Sequence, residues 1–252
     1  MVRQRSTSLK AVLFDLDDTL LYSDMERGFI HHYFAMLTDY ALPLALPEKL
    51  MAALMTATEA IHRNQDRHMT NEQVFAAVFA PQLGKPWDEL KRFFARFYQD
   101  CFPQLRVHTK QHPDARRAVQ VCLDAGYRVA IATNPLFPMQ AIQHRLAWAG
   151  IGDMPFDLVT AYENMHSCKP FLAYYAEIAA MLHIAPAACL MVGNDVRRDI
   201  APAQAAGMRT FLADEWLTND DPQIVPDHRG TLSDFIAIIS IFRGENAPET
   251  EA

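Results

Sequence analysis

The stretch Ala11-Val-Leu-Phe-Asp-Leu-Asp-Asp-Thr-Leu20 decides the fold of this 252-residue chain. Its first four residues are apolar and include a β-branched valine and an aromatic ring, which is typical of a buried strand. Three acids follow almost at once, at Asp15, Asp17 and Asp18. The stretch therefore predicts a buried strand that ends in a cluster of charge.

After about residue 106, strands and helices alternate. We predict strands at Tyr127–Ala132, Phe156–Thr160, Cys189–Val192 and Met208–Leu212, and helices at Pro113–Ala125, Pro138–Ala149, Phe171–His183, Ile200–Ala206 and Leu232–Phe242. Such alternation is typical of a doubly wound α/β fold, a parallel sheet covered by helices on both faces. In these sheets, polar chemistry collects at the carboxyl ends of the strands.

The segment between these two regions is almost entirely helical. Capping signals and helical spacing of apolar residues predict helices from about Asp24, from Pro47 to Arg63, from Thr70 to Phe79, and from Trp87 to Phe102. We therefore predict an α/β core formed by residues 1–22 and 106–252, with an inserted α-helical domain at 23–105.

Each predicted core strand up to Cys189–Val192 is followed by residues with reactive side chains. These are Asp15 and Asp17, then Thr133 and Asn134, then Lys169, and finally Asn194 and Asp195 with Asp199. A single polar residue at a strand end is usually a cap or a surface group. Four such sites in consecutive order are hard to reach by chance and predict one shared active site.

These residues carry a resemblance. Asp15-Leu-Asp17-Asp18-Thr19, Thr133, Lys169-Pro170 and Gly193-Asn-Asp-Val-Arg-Arg-Asp199 resemble the four motifs of the haloacid dehalogenase superfamily. The first motif is fairly specific, and the other three gain weight from their combination and order. Members of this superfamily have a Rossmann-like core and carry a first-type α-helical cap between the first and second motifs, where this chain has its helical segment.

The resemblance implies a phosphatase with a covalent mechanism. Asp15 would be the nucleophile that forms a phosphoaspartate, and Asp17 the general acid and base. Residues two apart in an extended strand share a face, so both carboxyl groups can reach one substrate. Asp18 would point away and act as a cap.

The resemblance also implies groups that bind phosphate and metal. Lys169 would place a compact positive charge beside the transferring phosphoryl oxygens, and Thr133 and Asn134 would contact the same group. Crowded carboxylates facing a phosphate need a hard cation with oxygen ligands, so Mg²⁺ is expected. Its expected ligands are the Asp15 carboxylate, the backbone carbonyl of Asp17, and one or two of Asn194, Asp195 and Asp199.

The fourth motif departs from the family pattern, which usually places an acid directly after the glycine. Here that position is Asn194. Two alignments remain open, with either Asn194 or Asp195 as the ligand. Neighbouring side chains on a strand diverge, which favours Asn194. An amide oxygen carries no charge, so the site should hold Mg²⁺ more weakly than one built from carboxylates.

Substrate selection is expected in the helical segment. The turn Ile61–His68 connects two helices, and in first-type caps such a turn often faces the catalytic cleft. His62, Arg63, Asn64, Arg67 and His68 are therefore potential contacts for the leaving group, with Arg63 and His68 chosen as substrate-binding residues. The cap should open on a hinge, because only two crossings join it to the core.

Composition limits the class of protein. Half of the residues are hydrophobic and 21% are charged, which suits a globular enzyme. The net charge of −7 argues against a partner among nucleic-acid polymers. Met1 to Lys10 lacks the apolar length of a signal peptide or membrane span, and four cysteines without a CxxC pair suit reduced thiols. We expect a cytoplasmic monomer or homodimer, without a membrane partner, that acts on a small phosphomonoester.

Other activities of the superfamily remain as alternatives. A phosphomutase or phosphotransferase acting on a sugar phosphate shares all four motifs. A haloacid dehalogenase lacks the second acid of the first motif, so Asp17 argues against it. A phosphonatase needs an activated cap lysine, and Lys49, Lys85 and Lys91 have no activating context. A non-catalytic protein would normally have lost a motif acid.

Overall fold

The strand that precedes Asp15 lies near the centre of a parallel sheet. The computed structural model describes residues 8–245, so Met1 to Thr7 and the end of the acidic tail lie outside the described residues. The strands of this part are β1 (Ala11–Phe14), β2 (Leu21–Tyr22), β3 (Lys110–Gln111), β4 (Arg128–Ile131), β5 (Leu158–Val159), β6 (Cys189–Gly193), β7 (Arg209–Ala213) and β8 (His228–Gly230).

Six strands form the main sheet in the order β5-β4-β1-β6-β7-β8, all parallel. Phe14 at the end of β1 pairs with Ile131 of β4 on one side and with Val192 of β6 on the other. The carboxyl ends of these three strands are therefore level with one another. The strand order reverses around β1, which is where open α/β sheets form their ligand crevice.

Both faces of the sheet are buried, as the apolar run in β1 predicts. Val12 and Phe14 pack into one apolar cluster, whereas Ala11 and Leu13 pack into another. This alternation follows from the period of two in a strand, and helices must cover both faces. The predicted doubly wound α/β fold is confirmed.

The helices agree with the predicted positions to within a few residues. They are α1 (Ile30–Tyr40), α2 (Pro47–His62), α3 (Asn71–Leu83), α4 (Trp87–Asp100), α5 (Ala115–Asp124), α6 (Met139–Trp148), α7 (Leu172–Met181), α8 (Ala201–Ala205) and α9 (Leu232–Glu245). No helix in residues 8–245 is long and apolar enough to cross a bilayer.

Asp18 shapes the start of the helical segment. Its carboxylate accepts hydrogen bonds from the backbone N–H groups of Ser23, Asp24 and Met25 at 2.8, 2.9 and 3.3 Å. These bonds cap the π-helical turn Met25–Phe29 that leads into α1. The predicted capping role of Asp18 is confirmed.

The helical segment leaves and rejoins the core side by side, because β2 and β3 pair as a short antiparallel ribbon. A second connection was not predicted. At the start of α3, the backbone N–H groups of Asn71 and Glu72 donate to Met165 O at 2.8 Å and Tyr162 O at 2.7 Å, both in core loops. The helical segment is thus tied to the core at a point far from the chain crossings.

Candidate active site

The predicted core residues meet at the carboxyl ends of β1, β4 and β6. A cavity of about 140 Å³ opens there. Its walls include every predicted site residue of the core, namely Asp15, Asp17, Thr133, Asn134, Lys169, Asn194, Asp195 and Asp199. The register of the three strands explains this convergence, since each releases its polar residues at the same level of the sheet.

The Lys169 ammonium lies between two buried carboxylates. Its Nζ donates hydrogen bonds of 2.6 Å to Asp15 Oδ1 and of 2.6 Å to Asp199 Oδ1. Burial opposes the charge on Lys169, but the two carboxylates outweigh it and hold the pKa of the ammonium well above its usual range. Asn134 steadies this lysine, because its Oδ1 accepts from the Lys169 backbone N–H at 3.2 Å.

The two carboxylates that share Lys169 are not fully neutralised. Burial raises the pKa of Asp199 to about 7, against the lowering effect of Lys169, and burial likewise raises the pKa of Asp15. With both ionised, one ammonium faces two negative charges. The group of Asp15, Lys169 and Asp199 would then carry an excess of one negative charge, which a bound cation or a proton would relieve.

Gly193 leaves the space that the Asp199 carboxylate occupies. Asp199 Oδ2 accepts from the backbone N–H of Asp195 at 3.0 Å, which folds the side chain back over the end of β6. A Cβ atom at position 193 would lie well inside van der Waals contact with this carboxylate. The glycine is thus required by close approach, not by an unusual backbone angle.

Gly193→Ala should lower the free energy of unfolding by about 1–3 kcal/mol, because the new methyl group must displace a buried carboxylate. Thermal or urea unfolding measures this loss. Gly28→Ala is the matched control, since its new Cβ would meet no atom closer than 3.6 Å. Equal stability of the two variants would contradict the packing described for Asp199.

Asn194 and Asp15 share a contact with the Thr19 hydroxyl. Thr19 Oγ1 lies 3.2 Å from Asp15 Oδ2 and 3.4 Å from Asn194 Oδ1. The amide nitrogen is used on the other side, donating to Trp216 O and Thr218 Oγ1 at 2.8 Å each. These two bonds fix the orientation of the amide, so its oxygen faces Thr19, which also bonds Asp15.

Asp195 has a structural role that the sequence left open. Its Oδ1 accepts from the backbone N–H groups of Arg197 and Arg198 at 2.9 Å each, and its Oδ2 accepts from Asn219 at 2.8 Å. It is the N-cap of the π-helical turn Val196–Ile200. Although Asp195 borders the cavity, its oxygens are engaged by the protein, which favours Asn194 in the alignment of the fourth motif.

Asp17 has a hydrogen-bond partner that the sequence analysis did not predict. Its Oδ2 accepts from Arg145 Nη1 at 2.5 Å and from Thr133 Oγ1 at 3.4 Å. Burial raises the pKa of Asp17, although the nearby Arg145 guanidinium lowers it. Its Oδ1 is buried without a hydrogen-bond partner among the described residues.

Arg145 is almost completely buried, with 1% of its surface exposed. It lies on α6, and its guanidinium stacks over the Phe137 ring at 4.8 Å. One sequence signal could have found it. Arg145 follows Ala141 and Ile142 by four and three residues, so it is a charged residue within the apolar stripe of a helix, and such a residue needs a buried partner.

The predicted substrate contacts Arg63 and His68 do not line the cavity that holds Asp15. Arg63 is exposed and forms an ion pair with Glu59 at 2.7 Å. His68 is also exposed. The turn between α2 and α3 does approach the core, as predicted, but helical periodicity does not tell which of its side chains face the core and which face solvent.

The turn between α2 and α3 is instead held by two buried asparagines. Asn64 donates to Met69 O at 3.1 Å and to Asn71 Oδ1 at 3.0 Å. Asn71 in turn donates to Pro135 O at 3.4 Å and Ser167 O at 3.3 Å, in the loops that precede α6 and Lys169. The turn therefore anchors the helical segment to the core loops.

The model of one family matches most of the chain. Residues 9–207, which include all four motifs, match the haloacid dehalogenase-like hydrolases. The chain belongs to this family. The predicted membership of the superfamily and the predicted class of enzyme, a phosphatase-like hydrolase, are confirmed.

Relatives with named activities share a little over a quarter of their aligned residues with this chain. The chain is 27% identical over 248 residues to a phosphoserine phosphatase of Thermus thermophilus, covering 88% of this chain and 95% of the relative. It is 28% identical over 214 residues to a glyceraldehyde 3-phosphate phosphatase of Methanothermobacter thermautotrophicus, covering 83% and 88% of the two chains. Both relatives of this haloacid dehalogenase-like hydrolase act on small phosphate esters.

Solved structures show the same fold. A 2-haloacid dehalogenase from Pseudomonas syringae aligns with a TM-score of 0.63 at 21% identity, over 93% of this chain and 99% of the other. A haloacid dehalogenase-type phosphatase from Thermococcus onnurineus aligns with a TM-score of 0.56 at 18% identity, over 92% and 98%. At these identities the likeness establishes the architecture of this hydrolase and not its substrate.

Proposed function

We propose that this hydrolase cleaves a small phosphomonoester with Mg²⁺, through a phosphoaspartate on Asp15. The observation that supports this most is the contact between Asp15 and Lys169 at the end of the central strand, with the second acid Asp17 in the same cavity. A carboxylate beside a fixed ammonium is held ready to attack a phosphorus atom.

In the first step, an Asp15 oxygen attacks the phosphorus and the bond to the leaving alkoxide breaks. Asp17, in its acid form, gives its proton to that alkoxide, so a neutral alcohol departs. Burial raises the pKa of Asp17 and favours this acid form. The Lys169 ammonium lies where it can balance charge on the phosphoryl oxygens, and the Thr133 hydroxyl can donate to them.

In the second step, water attacks the phosphorus of the acyl phosphate. The Asp17 carboxylate left by the first step accepts the proton of that water, and the P–O bond to Asp15 breaks. Inorganic phosphate and the original carboxylate are regenerated. Arg145 holds Asp17 in position during both steps, because its guanidinium binds Asp17 Oδ2 and leaves Asp17 Oδ1 without a hydrogen-bond partner among residues 8–245.

The donor set fits Mg²⁺ in chemistry and in charge. Among the described residues, no three His, Cys, Asp or Glu side chains form a metal cluster. The proposed ligands are instead mixed oxygens, namely the Asp15 carboxylate, the Asn194 amide oxygen and the backbone carbonyl of Asp17, which is the class of donor that Mg²⁺ prefers. The excess negative charge between Asp15, Lys169 and Asp199 also calls for a cation. When bound, Mg²⁺ would neutralise phosphate charge.

The register of the fourth motif can be tested by Mg²⁺ titration. Asn194→Ala should raise the Mg²⁺ concentration for half-maximal activity by about tenfold or more, whereas Asp195→Ala should leave it unchanged and cost about 1 kcal/mol of stability through the lost N-cap. A larger shift for Asp195→Ala than for Asn194→Ala would show that Asp195 is the ligand.

Asn194→Asp is a more informative variant, because the structure predicts a loss of stability that the sequence does not reveal. The new carboxylate should bind Mg²⁺ more tightly, but its second oxygen would face Trp216 O in place of the donating N–H. We expect a lower melting temperature in EDTA and a larger rise on adding Mg²⁺ than in wild type. An unchanged rise would contradict the proposed ligand.

We also propose that residues 23–105 act as a cap over the core formed by 1–22 and 106–252. The paired strands β2 and β3 support a hinge, and the Asn71 bonds support a latch that holds the closed form. Asn71→Ala should loosen this latch, raise KM and speed proteolysis of the linkers. The exposed Gln65→Ala is the control, and identical behaviour of both variants would exclude the latch.

The direct test of the activity is a Mg²⁺-supplemented screen of phosphomonoesters, with release of inorganic phosphate as the readout. Hydrolysis of at least one ester supports the proposal. A phosphomutase remains the second possibility on motif grounds, and it would convert a sugar phosphate into an isomer without releasing phosphate. We also propose that this enzyme acts on a small-molecule substrate, is located in the cytoplasm and is a monomer or homodimer.

A further inference from the structure

A second cavity of about 120 Å³ lies inside the helical segment, next to the proposed catalytic cavity. All four helices α1 to α4 contribute to its walls. The two cavities share Leu136 and Phe137, which come from the loop after β4. The second cavity thus adjoins the proposed catalytic cavity, with Leu136 and Phe137 forming the wall that they share.

A chain of contacts connects the proposed general acid to this cavity. Asp17 binds Arg145, the Arg145 guanidinium lies 4.8 Å from the Phe137 ring centre, and the Phe137 ring lies 5.3 Å from that of Tyr33 in the cavity wall. The general acid must touch the leaving oxygen of the substrate. From Asp17 the cavity lies beyond Arg145 and Phe137, so a leaving group would reach it past Phe137, which borders both cavities.

The walls are aromatic and carry no charge. They include Tyr33, Phe34, Phe75, Phe79, Trp87 and Phe94. The polar side-chain atoms among them are few. They are the Tyr33 and Tyr98 hydroxyls, which are bonded to each other at 2.9 Å, the Thr58 and Tyr162 hydroxyls, and the Trp87 indole N–H, which donates to Glu72. Such walls favour an apolar ring and penalise a charged or polyhydroxylated group, whose polar atoms would lose water without new partners.

The volume limits the size of the occupant. Apolar cavities of about 150 Å³ hold one benzene molecule, so a cavity of about 120 Å³ suits one six-membered ring or a branched aliphatic group of similar bulk. A second fused ring would require the helices to move. The cavity therefore selects by both polarity and size.

We propose that the preferred substrate is a phosphomonoester whose alcohol carries one compact apolar ring, and that this ring occupies the cavity between α1, α2, α3 and α4 while the phosphate lies at Asp15. This inference rests on the proposed phosphatase activity and specifies its substrate class. It separates this enzyme from relatives that act on polar esters such as phosphoserine and glyceraldehyde 3-phosphate.

The test compares 2-phenylethyl phosphate with ethyl phosphate, which share a primary alkyl leaving group and differ by the ring. Burial of the ring should raise kcat/KM by about tenfold to a hundredfold. Glycerol 1-phosphate, which replaces the ring with hydroxyl groups, should not exceed ethyl phosphate. A ratio near one for the ring-bearing ester in the wild-type enzyme overturns the inference.

Two identical substitutions on α2 locate the ring. Thr58→Phe fills the cavity with a new ring and should reduce the advantage of 2-phenylethyl phosphate over ethyl phosphate to nearly one. Thr56→Phe lies two residues away on the exposed side of the helix and should leave both esters unaffected. An advantage that survives Thr58→Phe in a folded protein places the ring elsewhere and overturns the inference.

A measurement on the unmodified enzyme covers the case in which Thr58→Phe does not fold. The product 2-phenylethanol should inhibit ethyl phosphate hydrolysis at a concentration at least about tenfold lower than ethanol. Equal inhibition by the two alcohols contradicts the cavity assignment. If no ester is hydrolysed, the proposed activity fails. Calorimetry then still tests the cavity: binding of 2-phenylethanol supports the cavity assignment, and absence of binding overturns it.

Discussion

Asp15→Asn should abolish turnover, lowering kcat by about 10⁴-fold or more, because the variant loses the attacking anion. The fold should survive. The asparagine oxygen can still accept from Lys169, and its amide N–H can donate to the Thr19 hydroxyl, so both native neighbours keep a hydrogen bond. The substitution also removes the excess negative charge around Lys169, so the melting temperature without Mg²⁺ should equal or exceed that of wild type.

Initial rates of phosphate release, with a melting curve for each sample, check this expectation. Asp39→Asn is a control of the same chemistry at an exposed position on α1. Clear activity in purified Asp15→Asn protein would show that another group attacks the phosphorus. A loss of activity together with a large drop in melting temperature would point to unfolding and not to the loss of a nucleophile.

Asp17→Asn should produce a loss that depends on the leaving group. The variant cannot protonate an alkoxide, so alkyl phosphates should react about 10²- to 10⁴-fold more slowly. A 4-nitrophenyl leaving group needs no proton, so formation of the phosphoaspartate should be much less affected. Breakdown should remain slow because the base is missing. We therefore expect a burst of nitrophenolate, close to one per enzyme, followed by slow turnover.

Stopped-flow absorbance measures this burst. Glu163→Gln, which changes a partly buried carboxylate that caps α6 and does not line the catalytic cavity, serves as a control for the loss of an acid. Normal steady-state turnover of an alkyl phosphate by Asp17→Asn would require the general acid to lie elsewhere.

The sequence predicts much of the core because its signals there are local and agree with one another. The apolar run at Ala11–Phe14 is too short and too β-branched for a helix, and the acids after it mark the carboxyl end of the strand. The same logic places Thr133, Lys169 and Asn194 at one sheet edge.

Other elements escaped prediction for physical reasons. Strand β8 contains only His228, Arg229 and Gly230, which form no apolar pattern, so its place at the sheet edge depends on pairing with β7. The ribbon of β2 and β3 joins segments that are distant in sequence. Local propensity carries no information about such pairs.

The site likewise combines residues that the sequence predicts with features that only the folded structure reveals. Asp15, Asp17 and Lys169 were found because motif spacing encodes them. Arg145 was not, because its partner Asp17 is far away in sequence and only the folded sheet brings α6 over the end of β1. The aromatic cavity is a property of four helices packed together. Each helix alone reads as amphipathic, and nothing in its spacing indicates that the packed faces leave a void.

Trapping the covalent intermediate tests the central claim most directly. Asp17→Asn protein mixed with 4-nitrophenyl phosphate and Mg²⁺, quenched in acid after the burst and digested, should yield one peptide that is heavier by one phosphoryl group. The account predicts this group on the peptide containing Asp15, and its removal by hydroxylamine, which cleaves acyl phosphates. A burst without any phosphorylated peptide, or a phosphoryl group on a different residue, would contradict the account.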